Sequence, residues 1–169
     1  MSRTSKLLFV VAIGLAASNL SSAQGVVMLR NLSLGMAKTV AEAAIAECRS
    51  KGFHTSVAVV DRTGQLMVLL RDEQASPTTA EMARRKAYTS RAFGVPTTDF
   101  QQRTAGDTPA AAQRDVNDML ALSGGIPIKV GSETIGAVGS SGSSLEQDDA
   151  CAKAGLAAVA DQLRAAQAQ

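Results

Sequence analysis

Two pairs of short apolar runs, each pair joined by a tight turn, constrain this chain more than any other feature. The first is "SVAVVDRTGQLMVLLR", residues 56–71, where β-rich runs flank Asp61-Arg62-Thr63-Gly64. Glycine in that turn supplies the positive φ a tight hairpin needs, so the two runs pair antiparallel. The second pair is "GGIPIKV" and "TIGAVGS" around Gly131-Ser132. Parallel neighbours need a crossover of about a dozen residues or more, so both pairs are hairpins. The near-continuous apolar run Leu66 to Leu70 reads as a central strand covered on both faces.

Helical spacing fills the intervals. From Ser33 to Lys51, the residues Ala37, Val40, Ala41, Ala44, Ile45 and Cys48 follow the i, i+3, i+4, i+7 rule, and Gly52 can stop the helix. Ser76-Pro77 opens a second helix running to about Phe93, with Pro77 early, where its missing N–H costs little. Pro96-Thr97-Thr98 starts a shorter one, and residues 104–114 form a Gly/Pro/Ala-rich connector. Ser143 with Glu146 and Ser144 with Gln147 have capping-box spacing and mark a last helix reaching about Ala166. The order is helix, hairpin, helices, hairpin, helix. The expected fold is α/β in the broad sense and α+β in detail: an antiparallel sheet flanked by helices, the first and last on a common face.

The amino terminus has another logic. Arg3 and Lys6 precede an apolar run of 11 residues, Leu7 to Ala17, followed by small polar residues ending Ser21-Ser22-Ala23. That is the layout of a secretory signal peptide cut after Ala23, and the run is short of the roughly 20 residues a bilayer span needs. The alternative is a retained membrane anchor. The expectation is a leader, 1–23, and one periplasmic or secreted domain, 24–169, with no stable membrane insertion after cleavage. Cleavage removes two basic and no acidic residues from totals of 17 and 15, leaving a neutral chain. A neutral surface argues against nucleic acid, whose phosphates demand a basic excess. Tryptophan is absent and aromatic residues make up 3%, so the core must be aliphatic.

The segments "VAVVDRTGQLMVLLRDEQA", "ARRKAYTSRAFGVPT", "GGIPI" and "IGAVGSSGSSLEQDDACAKAG" occur here in order. Together they resemble the GlcG/HbpS-like haem-binding family, which includes the C-terminal domain of PduO-type proteins, over residues 33–165. The resemblance implies a profilin-like fold, haem as ligand, a link to redox or glycolate metabolism, and association into a homo-oligomer. Thr89 matches the threonine of the family's K-A-x-T segment, near where the resemblance places haem.

The residues of the second helix lead the same way. Met82, Lys86, Thr89 and Phe93 lie at i, i+4, i+7 and i+11, a stripe with apolar ends, a cation and a hydroxyl, and Arg84, Arg85 and Arg91 surround it. Haem, flat and apolar with two carboxylates, would find ring contacts and charge partners there. The alternative is a solvated basic face with Thr89 packed against the sheet. His54, the only histidine, is the other candidate iron ligand beside Thr89, although a strand-end histidine is more often exposed and idle. Tyr88 points away from the Lys86/Thr89 stripe and ranks third. The loop Gly139–Ser144 ahead of the last helix could attract an anion, or its serines could simply cap the helix. Cys48 and Cys151 lie on the apolar stripes of their helices and could form a disulfide or stay two buried thiols.

The function these readings favour is an exported haem- or tetrapyrrole-binding carrier, scavenger or redox-sensing accessory. The alternatives are a haem-degrading or small-acid-metabolising enzyme and a ligand-free oligomeric accessory domain. Asp61, Asp72, Glu73 and Glu81 sit at turns and helix starts, where solvation or capping explains them.

Overall fold

The computed structural model describes residues 25–168, so the expected leader lies outside them. Ser33 accepts a hydrogen bond from the Met36 N–H at 3.2 Å and starts the first helix, α1 (Leu34–Ser50). Strands β1 (Ser56–Asp61) and β2 (Leu66–Arg71) pair antiparallel across a turn in which Gly64 takes φ 84°. There the Asp61 carboxylate accepts the Thr63 and Gln65 N–H groups at 2.7 and 3.0 Å. Strands β3 (Gly125–Val130) and β4 (Glu133–Ser141) form the second hairpin. The four strands make one antiparallel sheet in the order β2-β1-β4-β3, the two hairpins being joined through β1 and β4.

The run Leu66–Leu70 is not central. β2 is an edge strand, and Leu66 and Leu69 are 45% and 42% exposed. A continuous apolar run shows that both faces of a strand meet apolar neighbours, and says nothing about whether both edges are paired. The central strands are β1 and β4.

The two faces of the sheet differ in side-chain size. Val57, Val59, Ile126, Ile128 and Val138 join the larger core with Val40, Ala44 and Ala152 of the flanking helices. The alternate positions are small: Ala58 pairs with Gly139, Val60 with Ala137, and Gly125 with Gly139. Against that shallow face lies α2 (Thr79–Phe93), whose inward residues include Thr79, Ala83, Lys86, Ala87 and Ser90. A Cβ added to Gly125 would stand 2.4 Å from the Lys86 carbonyl oxygen. The helix begins later than Ser76-Pro77 because residues 76–78 form a turn whose Ser76 carbonyl accepts the Thr79 N–H at 3.1 Å.

A short helix, α3 (Thr97–Arg103), and a 3-10 turn (Pro109–Asp115) occupy the following segment. Ser144 then caps α4 (Leu145–Ala157) by accepting the Gln147 N–H at 3.2 Å. Ser143 plays no such part; its hydroxyl donates to Asp148 at 2.7 Å. The last helix is not continuous to Ala166. It breaks at Ala158–Val159, where Val159 turns into the core at 1% exposure, and resumes as α5 (Ala160–Gln167).

The first and last major helices share a face, as expected. α1 lies along α4 so closely that a Cβ on Gly155 would sit 2.5 Å from the Val40 carbonyl oxygen. Cys48 and Cys151 are bridged there, with Cα atoms 5.6 Å apart. A second fastener reaches α4 from α2. Lys86 is fully buried, and its Nζ donates to Asp148 Oδ2 at 2.7 Å and to the Ser140 carbonyl at 3.0 Å. Burial pushes the Lys86 ammonium below its ordinary pKa, and the Asp148 charge opposes that shift.

Two outcomes are expected. Non-reducing mass analysis shows the bridged form, and Cys48→Ala with Cys151→Ala lowers stability by about 2–4 kcal/mol in urea unfolding. Lys86→Met leaves Asp148 buried without its cation and costs about 3–5 kcal/mol by the same assay, part of it recovered by adding Asp148→Leu.

Candidate functional site

With its small residues against the sheet, α2 presents Glu81, Arg84, Arg85, Tyr88, Arg91 and Ala92 outward. Arg84 is occupied. It pairs with Glu81 at 2.8 Å and Asp118 at 2.6 Å, and these hydrogen bonds raise its pKa. Arg85 spends one nitrogen on the Met119 carbonyl at 2.6 Å, and its buried Nε has no partner. Arg91 likewise has a buried Nε without a partner. Neither guanidinium has a carboxylate within ion-pair reach among the described residues.

Arg85, Tyr88 and Arg91 stand at i, i+3 and i+6, so the two arginines flank the phenol on one helix face. Tyr88 and Arg91 open onto a cavity of about 360 Å³ whose other walls are Leu29, Arg62, Thr63, Gly64 and Ala92. The turn glycine serves the cavity too. A Cβ on Gly64 would come within 2.9 Å of the Tyr88 ring, so only glycine both takes φ 84° and leaves space for the phenol. Arg62 bridges from the turn to the Glu133 carboxylate and to the Arg30 carbonyl at 3.2 Å. The site therefore combines a phenol, the Arg91 guanidinium and walls of mixed polarity, with Arg85 one turn away on the same helix, a donor set suited to an aromatic anion.

The predicted stripe turns mostly inward. Lys86 cannot meet a ligand's carboxylate at the surface, because it is buried and already paired with Asp148. Thr89 is fully buried, and its hydroxyl donates to the Arg85 carbonyl and accepts the Leu120 N–H, both at 2.8 Å. It ties helix to loop rather than facing a ligand. Phe93 is half-buried and stacks on Phe100 with centroids 4.5 Å apart, Arg103 lying over its ring. Met82 is half-buried, and Arg85 is the one member of the expected set with an unfilled donor. Sequence reasoning placed Arg91 beside the stripe without naming it a site residue, and ranked Tyr88 third. The available signal was Ala83, Ala87 and Ser90 at i, i+4 and i+7, small residues that match the Gly/Ala face of the hairpins.

His54 lies apart. Its Nδ1 is 3.0 Å from Asp72 Oδ1, and Asp72 is 1% exposed. The Gln74 N–H, then Arg49 at 2.5 Å, hold the Asp72 carboxyl down at about 2, so the ionised oxygen accepts and His54 Nδ1 donates. That bond occupies Nδ1 and leaves Nε2 as the ring nitrogen turned to other partners. It precedes β1, while Gly64 follows it, and at about 3.3 Å per residue the two ends are ~20 Å apart. One tetrapyrrole does not touch both. Among the described residues no three His, Cys, Asp or Glu side chains gather to hold a metal ion. No described helix is long and apolar enough to cross a membrane.

Comparison with known proteins shows the family. Residues 32–157 match the family model described as "Haem degrading protein HbpS-like". Protein GlcG of Escherichia coli strain K12 is 31% identical over 108 residues, covering 64% of this chain and 79% of that protein. The crystal structure of HbpS superposes with a TM-score of 0.76 at 33% identity, over 88% of this chain and 97% of that one. A crystal structure of a PduOC:heme complex superposes with a TM-score of 0.68 at 25% identity, over 75% and 94% of the two chains. With its family model matched from before α1 to the end of α4, this chain belongs to the HbpS-like family.

Proposed function

We propose that this protein binds haem on the outer face of α2, with Tyr88 toward the iron and Arg85 and Arg91 toward the carboxylates. One observation carries the reading: Arg85 and Arg91, neither with a carboxylate in reach among the described residues, flank a phenol on one helix face, and Tyr88 and Arg91 line a cavity of mixed polar and apolar walls. Neither guanidinium has a carboxylate partner among the described residues, so an anionic ligand would give each a charge-assisted contact. Phenolate oxygen is an established haem-iron ligand, whereas a threonine hydroxyl is a poor one. Membership of the HbpS-like family and the likeness to PduOC, solved as a heme complex, support haem over other aromatic anions.

The role proposed is that of an exported carrier, scavenger or redox-sensing accessory, consistent with the leader-like sequence of residues 1–23 and the Cys48–Cys151 bridge. Assembly with copies of itself is part of the proposal. It is supported by the open β2 edge, where Leu66 and Leu69 stand exposed. The second reading, haem degradation, is favoured by the description of the matched family model. Loss of the Soret band when reductant and oxygen are supplied decides for it; a persistent band decides for carriage.

Haem titration followed at the Soret band tests the site. Arg91→Ala and Arg85→Ala are each expected to lower affinity by about one to two decades through loss of a charge-assisted contact. Tyr88→Phe is expected to change the spectrum of the bound haem, and Thr89→Ala to leave it unchanged. If His54→Ala abolishes the Soret shift while Tyr88→Phe and Arg91→Ala do not, the haem belongs at the Asp72-held imidazole and this placement is wrong.

A further inference from the structure

We infer that a groove beneath α5, remote from the Tyr88 face, binds an amphiphilic carboxylate such as a medium-chain fatty acid. α5 meets the molecule mainly through one large side chain, Leu163, which is 9% exposed. One side is an apolar groove, and the other is mixed, with Arg30, Asn31 and Ser33 in its lining. One cavity, about 480 Å³, is walled by Pro127, Leu156, Ala157 and Ala160, with Lys129 and Lys153 among its lining. The other, about 420 Å³, is walled by Met36, Val130, Ile135 and Ala166 and shares Leu163 with the first. Leu163 lines both, and α5 above it is about 12 Å long at 1.5 Å per residue.

The chemistry of the first cavity selects its occupant. Its walls are aliphatic, so they suit a flexible chain. They offer no aromatic ring to stack on, and no His, Cys, Met or Tyr to ligate a metal. Its two charges are both positive. Lys153 is paired with Asp149 at 2.5 Å, while Lys129 has no carboxylate in ion-pair reach among the described residues. An apolar slot with an ammonium pair among its lining is complementary to a long chain ending in one carboxylate. The space exists because α4 ends and α5 starts in alanines, and because Val159 draws the chain inward between them. This inference stands independently of the haem reading.

The test is calorimetric titration of the full protein with dodecanoate below its micelle-forming concentration. One-to-one binding is expected, weakened about tenfold or more in Lys129→Glu/Lys153→Glu and lost in Ala157→Trp, which fills the slot from an exposed position. Both variants should keep the wild-type haem titration. Absence of binding, equal binding of dodecanol, or indifference to the paired lysine changes would overturn the proposal. Displacement of dodecanoate by haem would overturn it as well, because the groove would then be the tetrapyrrole site.

Discussion

A Cβ on Gly139 would lie 2.1 Å from the Ala83 carbonyl oxygen and 2.7 Å from the Ala87 nitrogen, so α2 rests on β4 backbone against backbone. The other arrangements on that side follow from this closeness. Helix and sheet cannot both present large side chains at such a distance, and the contact is built from Ala58, Ala83, Ala87, Ala137 and two glycines. Burying alanine and glycine removes little apolar area at about 25 cal/mol per Å². Hydrophobic burial alone therefore holds α2 weakly, while the opposite face, filled with valine and isoleucine, carries most of that driving force.

Directional contacts make up the difference. Lys86 emerges from the helix between Ala83 and Ser90 into a space with no water to solvate it, so its ammonium reaches Asp148 and the Ser140 carbonyl. Asp148 is in turn bonded by the Ser143 N–H and hydroxyl, which fixes the loop between β4 and α4. Thr89 ties the same helix to the segment before β3 through the Leu120 N–H. A helix pinned this firmly on its inner side holds its outer side still. Arg85, Tyr88 and Arg91 can then stand at fixed spacing with donors left over, a preorganised surface of the kind a site requires.

The hairpins and their antiparallel pairing were legible because each depends on local rules, whereas the Cys48–Cys151 bridge, 103 residues apart, was left open between a disulfide and two buried thiols. Gly64 and Gly131 set the turns, short β-rich apolar runs mark the strands, and helical stripes place each cysteine inward. The candidate site was half legible. Its helix, its basic character and Arg85 could be read from "ARRKAYTSRAF", but the stripe through Lys86 and Thr89 was assigned to the wrong side. Polarity is a poor guide to the inward face when the opposing sheet is made of glycine and alanine. There a small residue packs best, and a single charge can enter if a partner awaits it.

By itself, then, the sequence determined what short-range sterics and periodicity control: two antiparallel hairpins, the helices between them, their caps, and the family to which they belong. Tertiary structure alone decided that β2 lies at an edge, that the last helix breaks at Val159, and that Lys86 meets Asp148 across 62 residues of chain. It also decided which arginines keep unfilled donors, because Arg84 finds Glu81 and Asp118 whereas Arg85 and Arg91 find no carboxylate. The physical reason is the same throughout. A residue's own chemistry states what it needs, but whether that need is met depends on neighbours that only the folded chain brings within hydrogen-bond distance.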